Sequence, residues 1–311
     1  ELDIDYGGSN YGFFEPGALD RYITQYSRDP FVEGTLPFDR DSLEPDRFVN
    51  VQGGEWKLWF FPGPEGRLSY ESGSYVIGCD IAGGSGGKLS SQSALSVVNR
   101  DTREKVAEFT SSNIDPKEFG RLAVAACRFF SGRDRANGGA FLIWEDNGFG
   151  ATFRSAVIEA NYGHIYMRHS ETIKNKPTDK PGFYTSPETK NKLLADYREA
   201  ITNEKMINRS RKALDECKEY VYITAAREVT HSRAVRNINP TETGKNHGDI
   251  VIADALCWHA LQDDGKMKEP EELEPIIPVG CLQWRINQAN AQEATGNLWS
   301  RGGRISAGTW R

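Results

Sequence analysis

Three acidic residues, far apart in the chain, are the side chains best placed to do chemistry. Asp80 closes Tyr-Val-Ile-Gly-Cys-Asp, Glu145 follows Phe-Leu-Ile-Trp, and Asp249 opens Asp-Ile-Val-Ile-Ala-Asp-Ala-Leu. A carboxylate at the edge of an apolar core is costly unless something pairs with it. Three that converge make a cage of hard oxygen donors for Mg²⁺ or Mn²⁺, and such a cage suits two-metal hydrolysis of a phosphodiester. Each acid also has a plainer reading. Asp80 fits a turn, Glu145 a salt-bridged strand end, and Asp249 a helix start favoured by the dipole. At ~100° per residue, Asp254 lies near the opposite side of the helix from Asp249 and is the reserve ligand.

Other candidates are weaker. Gly83-Gly84-Ser85-Gly86-Gly87-Lys88-Leu89-Ser90 imitates a phosphate-binding P-loop. Ala82 stands at its first glycine, however, Leu89 at the hydroxyl position, and a strand pattern follows where a helix is required. The glycines read instead as a turn beside Asp80 that lets a phosphate backbone approach closely, or as a plain loop. The histidines form no zinc-type set: His164, His169 and His231 are scattered and His259 lies in an apolar helix. His247, two residues before Asp249, is the one placed to assist a metal. Lys174, Lys176, Lys180, Lys190 and Lys192, with Phe183 and Tyr184 among them, suit contact with a DNA backbone or simply a solvated loop.

The elements that must position these groups are regular over residues 74–262. Tyr75–Asp80 and Ala140–Trp144 are short apolar runs of buried-strand type. Ala94–Asn99 and Lys105–Ser111, joined by Arg100-Asp101-Thr102-Arg103, read as a hairpin. Asp115-Pro116-Lys117-Glu118 has the form of a helix start: Asp at the N-cap, Pro next, and Glu closing a capping box. Phe119, Leu122, Ala123, Ala126 and Phe130 then recur at helical spacing. Ala151–Ala160, Thr189–Ile201 and Arg211–Val221 are expected helices, Ile165–Arg168 a strand, and Asp249–Leu261 a buried helix apolar on nearly every face. The predicted fold class is α/β: a mixed sheet of antiparallel hairpin strands plus parallel strands, covered by helices.

Three regions are expected. Residues 1–68, rich in Gly, Pro, Asp and aromatics, read as a lead-in or linker, with Trp56–Phe61 a strand ended by Pro62-Gly63-Pro64. Residues 69–262 are the main domain. Residues 263–311, acidic and Pro-containing at first and then rich in Gln, Asn, Gly, Arg and Trp, read as a weakly structured tail.

The 311 residues and 38% hydrophobic content allow a sizeable core. No apolar run approaches the ~20 residues that span a membrane, no secretory-type leader opens the chain, and the start at Glu1 rather than Met suggests a piece of something longer. The five cysteines have neither zinc spacing nor an even count for a disulfide framework. Cys79, Cys127 and Cys257 are expected core residues of a reducing compartment. The net charge of −6 excludes a general basic surface, so any DNA contact must be a local patch, with bound metal offsetting the acids.

In order along the chain, these residues resemble the C-terminal nuclease domain of the large terminase subunit of tailed bacteriophages. The resemblance covers residues 50–262. It runs through Trp59-Phe60-Phe61-Pro62, Tyr75–Asp80, the Gly-rich loop, Ile143-Trp144-Glu145-Asp146-Asn147-Gly148, Pro181-Gly182-Phe183-Tyr184-Thr185 with Thr189-Lys190, and His247-Gly248-Asp249-Ile250-Val251-Ile252-Ala253. It implies an RNase H-like fold and a metal-dependent endonuclease that cuts double-stranded DNA in viral genome packaging, in the host cytoplasm. Asp80, Glu145 and Asp249 would hold two Mg²⁺ or Mn²⁺ ions, with His247 and Lys190 in support. The implied partners are double-stranded DNA, the terminase ATPase domain, the small terminase subunit and the portal, with no membrane. No intact Walker A motif exists here, so translocation is not assigned to this chain. Rival readings are a resolvase or DDE transposase on the same fold, a sugar-kinase or actin-like ATPase, and a catalytically inactive packaging module. Branched-DNA preference or strand joining, ATP binding, and failure to bind Mn²⁺ respectively would favour them.

Overall fold

In a computed structural model, described over residues 12–63, 66, 73–86, 91–169, 177–223, 228–232 and 248–263, the apolar runs assemble into one mixed sheet. Its strands are β1 (Val32–Thr35), β2 (Val49–Asn50), β3 (Trp56–Leu58), β4 (Tyr75–Asp80), β5 (Ser93–Asn99), β6 (Lys105–Ser111) and β7 (Phe141–Trp144), in the order β2-β1-β3-β6-β5-β4-β7. The expected hairpin is β5–β6, and β4 pairs antiparallel with β5 but parallel with β7. Asn99 helps close the hairpin by accepting from the Asp101 and Thr102 amides at 2.9 and 3.1 Å. The run β6-β5-β4-β7, with only β7 parallel to β4, is the RNase H-like arrangement.

Helices cover both faces, and period-2 alternation sorts the side chains between them. Ile77, Cys79, Leu142 and Trp144 face a core with α2 (Pro116–Phe129) and α3 (Gly150–Glu159). Val76, Val98 and Ile143 face a second core with α4 (Pro187–Thr202) and α6 (Asp249–Asp263). Alongside lie α1 (Pro16–Tyr26) and α5 (Arg211–Cys217), and two small ribbons, β8 (Met167–His169) with β9 (Pro177–Pro181) and β10 (Tyr220–Ile223) with β11 (Glu228–His231). The described cysteines Cys79, Cys127, Cys217 and Cys257 are buried and unbridged. No helix of the described residues is long and apolar enough to cross a membrane.

Several expectations need correction. The described part of residues 1–68 is no linker: β3 pairs with β6, extending the sheet by three strands, and Phe13, Phe14, Leu19, Tyr22 and Ile23 belong to the core under α6. All described residues lie in one compact unit, Glu1–Met267, with no boundary at 68. Asp115 caps α2, accepting from the Lys117 amide at 2.8 Å, but Glu118 takes Arg121 instead of completing a capping box. The box occurs at α4, between Ser186 and Thr189. The helix expected over 211–221 stops at Cys217, and Tyr220 and Val221 enter β10. The tail after Asp263, Cys281, His247, Lys174, Lys176 and residues 87–90 lie outside the described residues.

Candidate active site

The site begins with strand register. Cys79 pairs with Trp144 across the parallel β4–β7 ladder, and the Glu145 amide donates to the Cys79 carbonyl at 3.0 Å. Asp80 and Glu145 are therefore the next residues on adjacent strands, whose backbones run about 4.8 Å apart. Alternation turns Asp80 to the face of Val76 and Gly78, and Glu145 to that of Ile143, which is the side covered by α6.

The third acid arrives by helix–strand packing. Cys257 Sγ approaches the Val76 carbonyl, and a Cβ on Gly78 would collide with the Ala253 carbonyl oxygen and stand 2.8 Å from Cys257 Sγ. Four helical residues rise about 6 Å and two strand residues about 6.6 Å. Stepping back one turn from Ala253 over Gly78 thus brings Asp249 to the level of Asp80. Only glycine at 78 lets the α6 backbone lie this close. Gly248, at φ +76°, turns the chain into α6, and the Tyr220 hydroxyl donates to its carbonyl at 3.0 Å. One Asp249 oxygen, Oδ2, accepts from the Gln92 amide at 2.6 Å.

The three acids are half-buried and act on one another. Burial pushes the Asp80 carboxyl well above the usual range. The neighbouring Glu145 and Asp249 carboxylates and a hydrogen bond to Glu145 add to this, while Lys190 pulls the other way. The neighbouring carboxylates make the ionised form of Asp80 costlier. Lys190 is delivered by the segment beside β7. The Phe183 amide donates to the Trp144 carbonyl at 2.8 Å, and Asn147 exchanges two bonds with the Thr185 backbone before α4 begins. Lys180 and Lys192 are exposed nearby in sequence, and Tyr184 is exposed beneath the Arg168 guanidinium.

A divalent cation would meet a donor set of the right chemistry here: hard carboxylate oxygens with an excess of negative charge that a cation relieves. Asp80 and Glu145 are in direct contact, with Asp249 within electrostatic reach. Among the described residues, no group of three or more His, Cys, Asp or Glu side chains is arranged so that it could hold a metal ion.

The remaining acids behave differently. Asp254 is fully buried in a separate network: Lys105 Nζ lies 2.8 Å from its Oδ1, and Asn208 donates to its Oδ2 at 2.7 Å. Lys105 also holds Glu108 at 2.9 Å. Asp146, beside Glu145, is buried and ion-paired with Arg154 at 2.6 Å and with Arg168. Two residues near the site escaped sequence reading. Glu216 is 2% exposed and accepts from the Ile250 amide at 3.0 Å. Its carboxyl is pushed up to about 8, by burial first and then by Asp249 and Glu108, against Lys212 and the Ile250 amide. Lys212, one turn earlier, donates to Gln92 Oε1 at 2.9 Å. The signal available was a glutamate on the apolar face of Ala213, Leu214 and Cys217.

No family model matches the chain, and no curated protein matches it. Among solved structures it is similar to the magnesium-bound large terminase nuclease of thermophilic phage G20c, with 16% identity and a TM-score of 0.46, over 81% of this chain and 98% of that one. It is similar also to the large terminase nuclease domain of Thermus phage P74-26, with 15% identity and a TM-score of 0.43, over 78% and 92%. A mutant nuclease domain of the large terminase subunit gp2 of bacterial virus Sf6, with manganese and beta-thujaplicinol, gives 12% identity and a TM-score of 0.39, over 61% and 89%.

Proposed function

We propose that this chain is a metal-dependent endonuclease that cleaves double-stranded DNA during viral genome packaging, the nuclease part of a large terminase subunit. The observation that carries the reading is the contact of Asp80 with Glu145 at the ends of adjacent parallel strands, with Asp249 bearing on the same pair from the start of α6. Nothing in the packing of a strand end requires such repulsion. A site for divalent cations does, because there the excess negative charge is useful.

Asp80, Glu145 and Asp249 are the residues that would hold Mg²⁺ or Mn²⁺, two ions by the resemblance. When bound, such ions supply activation of a water and stabilisation of the leaving oxygen in an in-line displacement. The chain's own groups do the rest. The β4–β7 ladder fixes Asp80 and Glu145 side by side, so neither needs reorganising when substrate arrives. Lys190 favours the ionised Asp80. Lys180, Lys190, Lys192 and Arg168 are the local basic groups able to meet a phosphate backbone on a chain of net charge −6. The expected products carry a 5′-phosphate and a 3′-hydroxyl. Further expected partners are the ATPase domain, small terminase subunit and portal of a packaging motor in the host cytoplasm.

The test is incubation with supercoiled plasmid in EDTA, Mg²⁺ or Mn²⁺, beside Asp80→Ala and Glu145→Ala. Nicking and linearisation that need metal and vanish in both variants are expected. Cutting retained by folded Asp80→Ala and Glu145→Ala would overturn the assignment.

A further inference from the structure

The third acid is held by a brace that lies outside the three-carboxylate set. Asp249 Oδ2 accepts from the backbone N–H of Gln92 at 2.6 Å, and the Gln92 side-chain Oε1 accepts from Lys212 Nζ at 2.9 Å. Lys212 stands four residues before Glu216 on α5, so the two lie on one helix face. Glu216 Oε2 then accepts from the amide of Ile250, the residue after Asp249, at 3.0 Å. These contacts reach Asp249 from two sides, once through its side chain and once through the backbone of the first turn of α6.

We infer that Lys212 and Glu216 are positioning residues that fix the direction of the Asp249 carboxylate and thereby set the affinity of the site for a divalent cation. Three features of the contacts support this. Glu216 is 2% exposed, with its carboxylate spent on an amide of another element. A carboxyl group buried in a helix–helix contact costs desolvation that a leucine there would not, and its bond to the Ile250 amide offsets part of that cost. Lys212 divides its ammonium between Gln92 and Thr110, at 2.9 and 3.5 Å. Both partners belong to the sheet margin, Thr110 in β6 and Gln92 immediately before β5. The pair thus ties α5, the sheet margin and the start of α6 into one unit around Asp249. Groups that orient a metal ligand without touching the metal are typically worth 10–100-fold in affinity.

The inference rests on the proposed role of Asp249 as a cation ligand, and two measurements separate the ideas. Mn²⁺ binding to the full chain is followed by the loss of its free-ion EPR signal, for wild type, Asp249→Asn, Glu216→Leu, Glu216→Gln and Lys212→Met. Amide hydrogen exchange of the peptides holding Gln92 and Ile250 is followed in EDTA for the same proteins. The expected result is at least tenfold weaker Mn²⁺ binding by Glu216→Leu and Lys212→Met, with faster exchange at both peptides. Glu216→Gln, which keeps an oxygen acceptor, should stay close to wild type in both. Circular dichroism and melting temperature confirm folding, and Lys212→Met carries the test should Glu216→Leu fail to fold. Wild-type Mn²⁺ affinity in Glu216→Leu and Lys212→Met, while Asp249→Asn binds weakly, would overturn the brace and leave the metal site standing. No Mn²⁺ binding by wild type would overturn the metal reading, and with it the influence on affinity. The exchange data would then decide the orienting role alone: unchanged protection at both peptides removes it.

Discussion

Lys105→Met is the most exacting test of how this fold is held together. Lys105 Nζ lies 2.9 Å from Glu108 Oε2 and 2.8 Å from Asp254 Oδ1, and all three side chains are 1% exposed or less. Removing one partner of a buried ion pair typically costs 3–5 kcal/mol, because the other is left charged without compensation. Here two carboxylates lose a single shared cation. Asn208 still serves Asp254, so the loss should fall within that range rather than double it. At an m-value of roughly 2–3 kcal/mol/M in urea, the unfolding midpoint should drop by about 1–2.5 M.

The pH dependence checks that charge, and not lost volume, is responsible. In the wild type, Lys105 holds Glu108 below its ordinary value of 4.5, although burial, the largest influence, acts the other way. Burial wins at Asp254, which stays above its ordinary 3.8 despite Lys105. In the variant both carboxyl groups should be raised. A raised carboxyl contributes stability that is present below its unfolded value and lost as pH rises. The deficit of the variant should therefore be small near pH 4 and grow toward pH 7. A loss under about 1 kcal/mol at pH 7, or one independent of pH over this window, would refute the account, because a buried pair cannot behave like a screened surface pair.

Three further outcomes are expected. Asp80→Asn should abolish cutting yet raise the melting temperature by a few degrees without metal, since it removes a carboxylate that repels Glu145 and Asp249; a lower melting temperature argues against the repulsion. Gly78→Ala should cost at least about 1–3 kcal/mol in urea unfolding, because its methyl must displace the Ala253 backbone, and a neutral result would mean α6 does not lie directly on β4. Arg168→Met should cost about 1–3 kcal/mol by leaving buried Asp146 to Arg154 alone, and full stability would show that Arg154 suffices.

How much was legible in the sequence follows from which interactions are local. The apolar runs of β4 and β7, the hairpin β5–β6, the Asp115 cap and the helical spacing of α2 depend on neighbours within a few residues, so their pattern is written along the chain. The acids Asp80 and Glu145 stood out for the same reason: an ionisable group directly after a buried strand breaks the local pattern. That α6 begins with Asp249 was legible; that Gly78 lets its first turn reach Asp80 was not. Long-range pairing carries no comparable mark. Trp56–Leu58 read as part of a linker, yet it joins the sheet because β6 offered an unpaired edge. Asp254 and Asp249 are both acids on one apolar helix, and only the arrival of Lys105 from β6 made one a core ion pair. Glu216 likewise needed Ile250 and Lys212 beside it to have a role. Sequence alone determined the elements and the acids that stand out against them, because periodicity and capping act over a few residues. Only the tertiary structure decided which charges face one another, because desolvation and pairing depend on what packs against a group from distant parts of the chain.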